Sequence, residues 1–172
     1  RLGFMRADHV FCLNEDDRTF LVDRFHLDDR KLTRIFPGAD PGFAEASRGR
    51  DYTRARRLLF AGTWRKNKGI EDLVPAFSEL RLACPQLELL VLGAGTSAET
   101  VLDAFPESVR SAVKVVSARN DAETAAVFAS ADLFLLPSLF EGTPLTLVEA
   151  MMSGLPIVTS NVCGMKDLID HG

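Results

Sequence analysis

The stretch Ala131-Asp132-Leu133-Phe134-Leu135-Leu136-Pro137-Ser138-Leu139-Phe140-Glu141-Gly142-Thr143-Pro144-Leu145-Thr146-Leu147-Val148-Glu149-Ala150-Met151-Met152-Ser153-Gly154-Leu155-Pro156-Ile157-Val158-Thr159 carries two kinds of apolar pattern. Residues 133–136 and 155–159 are short continuous runs bounded by Pro, Gly or Ser, which suits strands covered on both faces of a sheet. Residues 144–153 between them read as a helix, with Thr143 placed to cap it, Pro144 at its first position, and Gly154 and Pro156 to end it. Strand, helix, strand is the unit from which parallel sheets are built.

The same alternation continues upstream. Residues 58–61, 87–92 and 113–116 read as three more buried strands, and 121–131 as a helix. Ile70, Leu73, Val74, Phe77 and Leu80 fall on one helical stripe, with Pro75 either bending its second turn or moving its start towards Asp72. Five strands joined by helical connections predict an α/β fold, a Rossmann-like, doubly wound parallel sheet with right-handed crossovers. Such sheets bind ligands beyond their strand C-termini, so the loops opening at Gly62, Gly93, Ser117, Pro137 and Ser160 are the places to look.

The first fifty residues differ. A short strand at 9–13, a helix capped by Asn14 and running to about His26, and a second strand at 32–36 precede the turn-rich Pro37-Gly38-Ala39-Asp40-Pro41-Gly42 and a polar, basic stretch, 47–57. That composition predicts a crossover between domains near residues 38–57, with only the tail of another domain before it.

Composition narrows the class. At 172 residues the chain is the size of one domain, and 47% hydrophobic with 26% charged residues is ordinary for a soluble globular protein. A net charge of −4 gives no global drive for nucleic-acid binding, so an anion site must be local. Cys12, Cys84 and Cys163 lie far apart and read as buried free thiols, and the scattered His9, His26 and His171 argue against a zinc site. No stretch approaches the about 20 apolar residues of a membrane span. The chain opens on Arg1 without a secretory signal pattern and reads as a piece of a longer protein.

Three stretches could carry chemistry. Gly93-Ala94-Gly95-Thr96-Ser97-Ala98 satisfies the dinucleotide pattern G-x-G-x-x-G/A, but the next strand ends in Ser117-Ala118-Arg119 with no acidic residue for a ribose, so a tight strand-to-helix turn explains these glycines better than NAD binding. Gly62-Thr63-Trp64-Arg65-Lys66-Asn67-Lys68-Gly69 is a cationic loop at a strand end, either an anion seat or a solvated basic loop. Glu141 lies just before a helix mouth and Glu149 inside that helix, where Thr146, Glu149 and Ser153 could equally form an ordinary polar face. Two carboxylates also suggest a glycoside hydrolase, but no second acidic loop supplies the opposite side of a scissile bond.

The Glu141 to Met151 string, followed by Gly154-Leu155-Pro156-Ile157-Val158, resembles the E-x7-E signature of retaining GT-B glycosyltransferases, the family-four or glycosyl transferases group 1 type. Ala7-Asp8-His9-Val10 and Phe36-Pro37-Gly38-Ala39-Asp40 are similar to the end of that family's acceptor domain and its P-x-G-V-D linker entry. Gly62 to Gly69 resembles its phosphate loop, G-R-L-x-x-x-K-G, and Ala131 to Ser138 its strand before the signature. The resemblance implies that residues 1–40 are the tail of an N-terminal acceptor domain, 41–57 the linker, and 58–172 a C-terminal donor-binding domain truncated at its end.

The resemblance also implies a UDP- or GDP-sugar donor bound without a metal or other cofactor, and an acceptor that is a glycan, a lipid or a small molecule. It places Lys68 on the diphosphate, Glu149 on the ribose hydroxyls and Glu141 near the donor sugar. The backbone of Gly142, Thr143 and Leu145 would meet sugar and phosphates, Gly62, Thr63 and Arg65 would line the phosphate loop, and Ala118 and Arg119 would lie at the base. Lys68 and Glu141 are the catalytic pair it implies, with no nucleic-acid partner. Three departures stand out: Thr63 where the family has arginine, Thr143-Pro144 where it has Phe-Gly, and Cys163-Gly164 where it has a Gly-Gly turn. The expectation is a cytoplasmic hexosyltransferase, free or peripheral at the inner membrane face, whose present stretch binds nucleotide more readily than it transfers sugar. A non-catalytic nucleotide-binding or interaction module is the rival, and an NAD-dependent oxidoreductase a weaker one.

Overall fold

The structure, a computed structural model, describes residues 2–53 and 55–170, so Arg54 of the expected linker and His171 lie outside it. The chain opens with a short helix, α1 (Leu2–Arg6), and then a small α/β unit: strands β1 (Val10–Cys12) and β2 (Leu32–Arg34) pair in parallel across helix α2 (Glu15–Phe25). Asn14 caps α2 as its residue type predicts, its side chain accepting the Asp17 N–H, and His26 ends it in the left-handed conformation. Cys12, Leu21 and Leu32 form this unit's own small core.

Past helix α3 (Gly42–Ala46), the main sheet holds β3 (Arg57–Ala61), β4 (Glu88–Leu92), β5 (Val113–Val116), β6 (Leu133–Leu136) and β7 (Ile157–Thr159) in the order β5-β4-β3-β6-β7, all parallel. The connections carry α4 (Ile70–Ala83), α5 (Ala98–Asp103), α6 (Glu107–Arg110), α7 (Asp121–Ser130) and α8 (Leu145–Met152), and α9 (Cys163–Lys166) follows β7. This is the doubly wound Rossmann order, and its reversal point lies between β3 and β6.

Largely apolar runs are required because both sheet faces are covered, with exposed Lys114 on the edge strand β5 an exception. Leu58 and Phe60 point into a cluster with Leu73 and Phe77 of α4 and Val101 of α5, while Leu59 and Ala61 point the other way, towards Phe128 of α7 and Leu147 of α8. Pro75 sits inside a regular α4 that begins at Ile70, so it removes one hydrogen bond without displacing the start.

Three expectations are corrected. The last strand is three residues, Ile157–Thr159, because Pro156 cannot donate to the ladder and Leu155 is taken by the end of α8 through its N–H to Ala150 O, 3.0 Å. Thr143 does not cap α8. Pro144 occupies the cap, without a side-chain bond, and the Thr143 hydroxyl donates instead to Leu13 O at 2.6 Å. Of the three thiols only Cys12 is buried; Cys84 and Cys163 are half-buried.

The stretch expected to be a bare crossover is docked on the sheet. Phe43 of α3 is 2% exposed and packs edge-on against Phe128, ring centroids 5.4 Å apart. Arg50 reaches beneath the sheet's helices, donating through Nε to Ser153 O at 3.0 Å, through Nη2 to Phe128 O at 3.1 Å, and through Nη1 to Ala131 O. One guanidinium thus ties the C-termini of α7 and α8, where the helix dipoles favour a cation, although burial lowers its own pKa. Arg50→Ala is expected to cost about 3 kcal/mol in urea unfolding, since it strands carbonyls on two helices. Arg50→Lys should recover at most part of that, an ammonium having no fork to span both ends.

Candidate functional site

The reversal point brings the loop after β3 against the loop after β6. Both leave strand C-termini that are hydrogen-bonded neighbours, Leu58, Leu59 and Phe60 pairing with Leu133, Phe134 and Leu135. The contact is close enough to require glycine: Gly69 has φ +72°, and a Cβ there would stand 1.9 Å from Pro137 O. The Leu139 N–H donates to Asn67 O at 2.9 Å, closing the join.

Across this join Lys68 Nζ donates to Glu141 Oε1 at 2.5 Å, with side chains only 21% and 12% exposed. The same oxygen accepts the hydroxyl of buried Ser138 at 2.8 Å. Glu141 is therefore held by two donors, and Lys68 keeps two N–H groups for something else. From the far side Gly164 supports the loop: its N–H donates to Glu141 O at 3.3 Å, and a Cβ on it would stand 1.6 Å from Gly142 O.

Beside this pair is a hollow of about 420 Å³ lined by Gly62, Thr63, Lys68, Ala118, Thr146 and Glu149. Glu149 is half-buried, and its carboxylate receives no hydrogen bond from the described residues. Burial pushes its pKa up, and the Asp121 carboxylate adds to the shift. An ionised acid in this state is a strong acceptor waiting for donors. A larger hollow, of about 540 Å³, lies along the open edge of β7 by α9 rather than at the reversal point.

The structure thus brings Gly62, Thr63, Lys68, Ala118, Glu141 and Glu149 around one place. The other expected site residues stand at its rim or turn away. Leu145 is exposed, Gly142 abuts Gly164, and Thr143 bonds to Leu13. Arg119 is drawn to Glu123, its N–H donating to Oε2 and its Nε to Oε1, both at 2.9 Å, and that pairing raises the arginine's pKa. Arg65 is exposed at the loop's outer side, while Lys66 pairs with Glu71 at 2.7 Å. Ser138 ends the stretch that resembles the family's strand before the signature, but nothing local gives it a role; its bond to Glu141 does.

Gly93 and Gly95 both lie in the left-handed region, φ +69° and +67°, and the helix beyond starts only at Ala98, capped by Ser97. Turn geometry accounts for the two glycines, and Gly93 also lines the hollow beside Glu149. Among the described residues no three His, Cys, Asp or Glu side chains gather in a way that could hold a metal ion. Nor is any helix there long and apolar enough to cross a membrane.

Known proteins resemble this chain in sequence and in fold. Among curated sequences, a glycogen synthase of Mycobacterium tuberculosis is 31% identical over 143 residues, covering 83% of this chain and 34% of the relative. A D-inositol 3-phosphate glycosyltransferase of Corynebacterium aurimucosum is 27% identical, covering 96% of this chain and 44% of the relative. The chain therefore spans between a third and a half of the length of these two relatives. Among solved structures, HepE of Anabaena in complex with UDP superposes with a TM-score of 0.77 at 19% identity, covering 99% of this chain and 49% of that one, a likeness of fold. The sequence pattern of the glycosyl transferases group 1 matches residues 55–172, all five strands of the main sheet included, and the chain belongs to that glycosyltransferase family.

Proposed function

We propose that this chain is the nucleotide-sugar donor-binding part of a retaining GT-B hexosyltransferase, residues 58–172 forming the donor domain, 41–57 the linker and 1–40 the end of the acceptor domain. The observation that carries the reading is the Lys68–Glu141 pair beside an unpartnered, half-buried Glu149 at the sheet's reversal point. Breaking a sugar–phosphate bond builds negative charge on the departing nucleoside diphosphate. A fixed ammonium stabilises that charge as it forms, and so do the Leu145 and Thr146 amides, which the first turn of α8 leaves without intrahelical acceptors.

Glu149 accepts the ribose hydroxyls, and Glu141 orients Lys68 while facing the donor sugar. Gly62, Thr63 and Arg65 border the phosphates, the Gly142–Leu145 backbone meets sugar and phosphate, and the base rests by Ala118 and Arg119. The donor is a UDP- or GDP-sugar. HepE and a pneumococcal O-GlcNAc transferase of this fold, each solved with UDP, support that choice. The acceptor is a glycan, lipid or small molecule, and the protein works in the cytoplasm or on the inner membrane face. Alone, the 172-residue chain binds nucleotide rather than transferring sugar.

Calorimetric titration of UDP, GDP and ADP and their sugars tests the reading. Binding by a uridine or guanosine diphosphate is expected, and a folded sample that binds none would defeat it. Product anomer by NMR, with the full protein and a donor, tests retention. Glu149→Gln should weaken nucleoside diphosphate binding at least about tenfold, having lost a charged acceptor.

The same substitution should stabilise the free protein. The folded state raises the Glu149 pKa, so it binds more protons than the unfolded chain, and ionisation penalises folding as pH rises through the window above the ordinary glutamate value. The penalty is absent below that value and complete above the raised one. Thermal melts from about pH 4 to about pH 7.5 should show Glu149→Gln gaining on the native protein as pH rises.

A further inference from the structure

We infer that Asn14, at the start of α2 in the N-terminal unit, is a positioning residue for the loop that carries Glu141. It acts by hydrogen bonding to the Gly142 carbonyl, beside the Thr143 hydroxyl bond to Leu13. The inference rests on the donor-site reading of that loop.

Asn14 is 2% exposed, although it caps a helix on a small surface unit. Capping uses only its Oδ1, which accepts the Asp17 N–H at 2.8 Å. Its Nδ2 donates to Asp17 Oδ2 at 2.8 Å and, across the molecule, to Gly142 O at 3.1 Å. One residue earlier, Leu13 O accepts the Thr143 hydroxyl at 2.6 Å. Residues 13 and 14 thus hold residues 142 and 143 by two bonds running in opposite directions. Serine or aspartate would cap α2 as well, but the shorter serine could not reach Gly142 and an ionised aspartate has no donor for a carbonyl.

The neighbourhood is built to keep the two parts in this register. The Glu15 N–H donates to Asp167 Oδ2 at 2.6 Å, and Lys166 Nζ pairs with Asp16 at 2.6 Å. Gly142 follows directly on Glu141, whose carboxylate holds Lys68. Freeing the Gly142 carbonyl therefore loosens the very peptide that orients the ammonium.

Asn14→Ser keeps the cap and removes the reach, and Thr143→Val removes the opposite bond without touching α2. Each should weaken UDP binding about three- to tenfold by calorimetry and raise amide exchange at residues 142–145. In a Glu141→Gln background, Asn14→Ser should change UDP affinity less than twofold, because it acts through that side chain. If Asn14→Ser does not fold, Thr143→Val and its amide exchange carry the test. Unchanged affinity and exchange in the variants, or an equal loss in the Glu141→Gln background, would overturn the inference. Loss of UDP binding by Lys68→Ala would then leave the donor reading standing. A folded native protein that binds neither UDP nor GDP would overturn both.

Discussion

Lys68→Met is expected to do two kinds of damage. On the proposed donor-site reading, donor cleavage by the full-length protein should slow about a hundred- to a thousandfold, the loss seen when a fixed donor to a developing anion is removed, and the nucleoside diphosphate affinity of this chain should fall with it. Folding stability should drop by about 3 kcal/mol, because Glu141 is only 12% exposed and would be left ionised beside a methyl group. The two effects separate in the double variant. Lys68→Met with Glu141→Gln buries no net charge and leaves Ser138 an amide oxygen to bond, so urea unfolding should return most of the stability while calorimetry finds nucleotide binding still lost. Binding restored together with stability would mean that the pair serves only the fold.

Gly69→Ala and Gly164→Ala should be the most damaging single-atom changes near the site. At Gly69 a methyl group meets Pro137 O at 1.9 Å on a backbone with φ +72°, so packing and conformation both oppose it. At Gly164 the obstacle is Gly142 O at 1.6 Å. In each case the atom struck is main chain, which cannot swing aside like the tip of a side chain. A loss above about 3 kcal/mol is expected for each in urea unfolding, with the Glu141 loop displaced. By contrast, Gly93→Ala meets nothing within 4 Å and should cost only its left-handed backbone strain, about 1 kcal/mol. Equal losses at Gly69 and Gly93, whose φ values are alike, would show that conformation, not the joint between loops, sets the cost at Gly69.

The main sheet was legible because burial on both faces keeps its strands almost wholly apolar; residues 133–136, and 113–116 despite the exposed Lys114 on the edge strand, match their observed bounds. Bounds failed where long-range bonds override local chemistry. Thr143 has the right side chain and place for a cap, but its hydroxyl is claimed by a carbonyl 130 positions away. Arg50 sits in a stretch whose composition signals solvent, and nothing nearby announces two helix ends waiting for a cation. At the site, the family pattern marked Lys68, Glu141 and Glu149, and the strand-end rule marked the loops that bear them. The direct Lys68–Glu141 bond, spanning 73 positions, and the support from Ser138 and Asn14 depend on how loops cross, which no local spacing encodes.

Two of the supports beneath the Glu141 loop are main-chain atoms close against main-chain atoms, at Gly69 with Pro137 and at Gly164 with Gly142. Leu139, Phe140 and Leu145 meanwhile point outward, 58%, 64% and 55% exposed. Geometry and identity are thereby uncoupled: those three side chains can be exchanged in a mutant library while the scaffold that presents them stays in register.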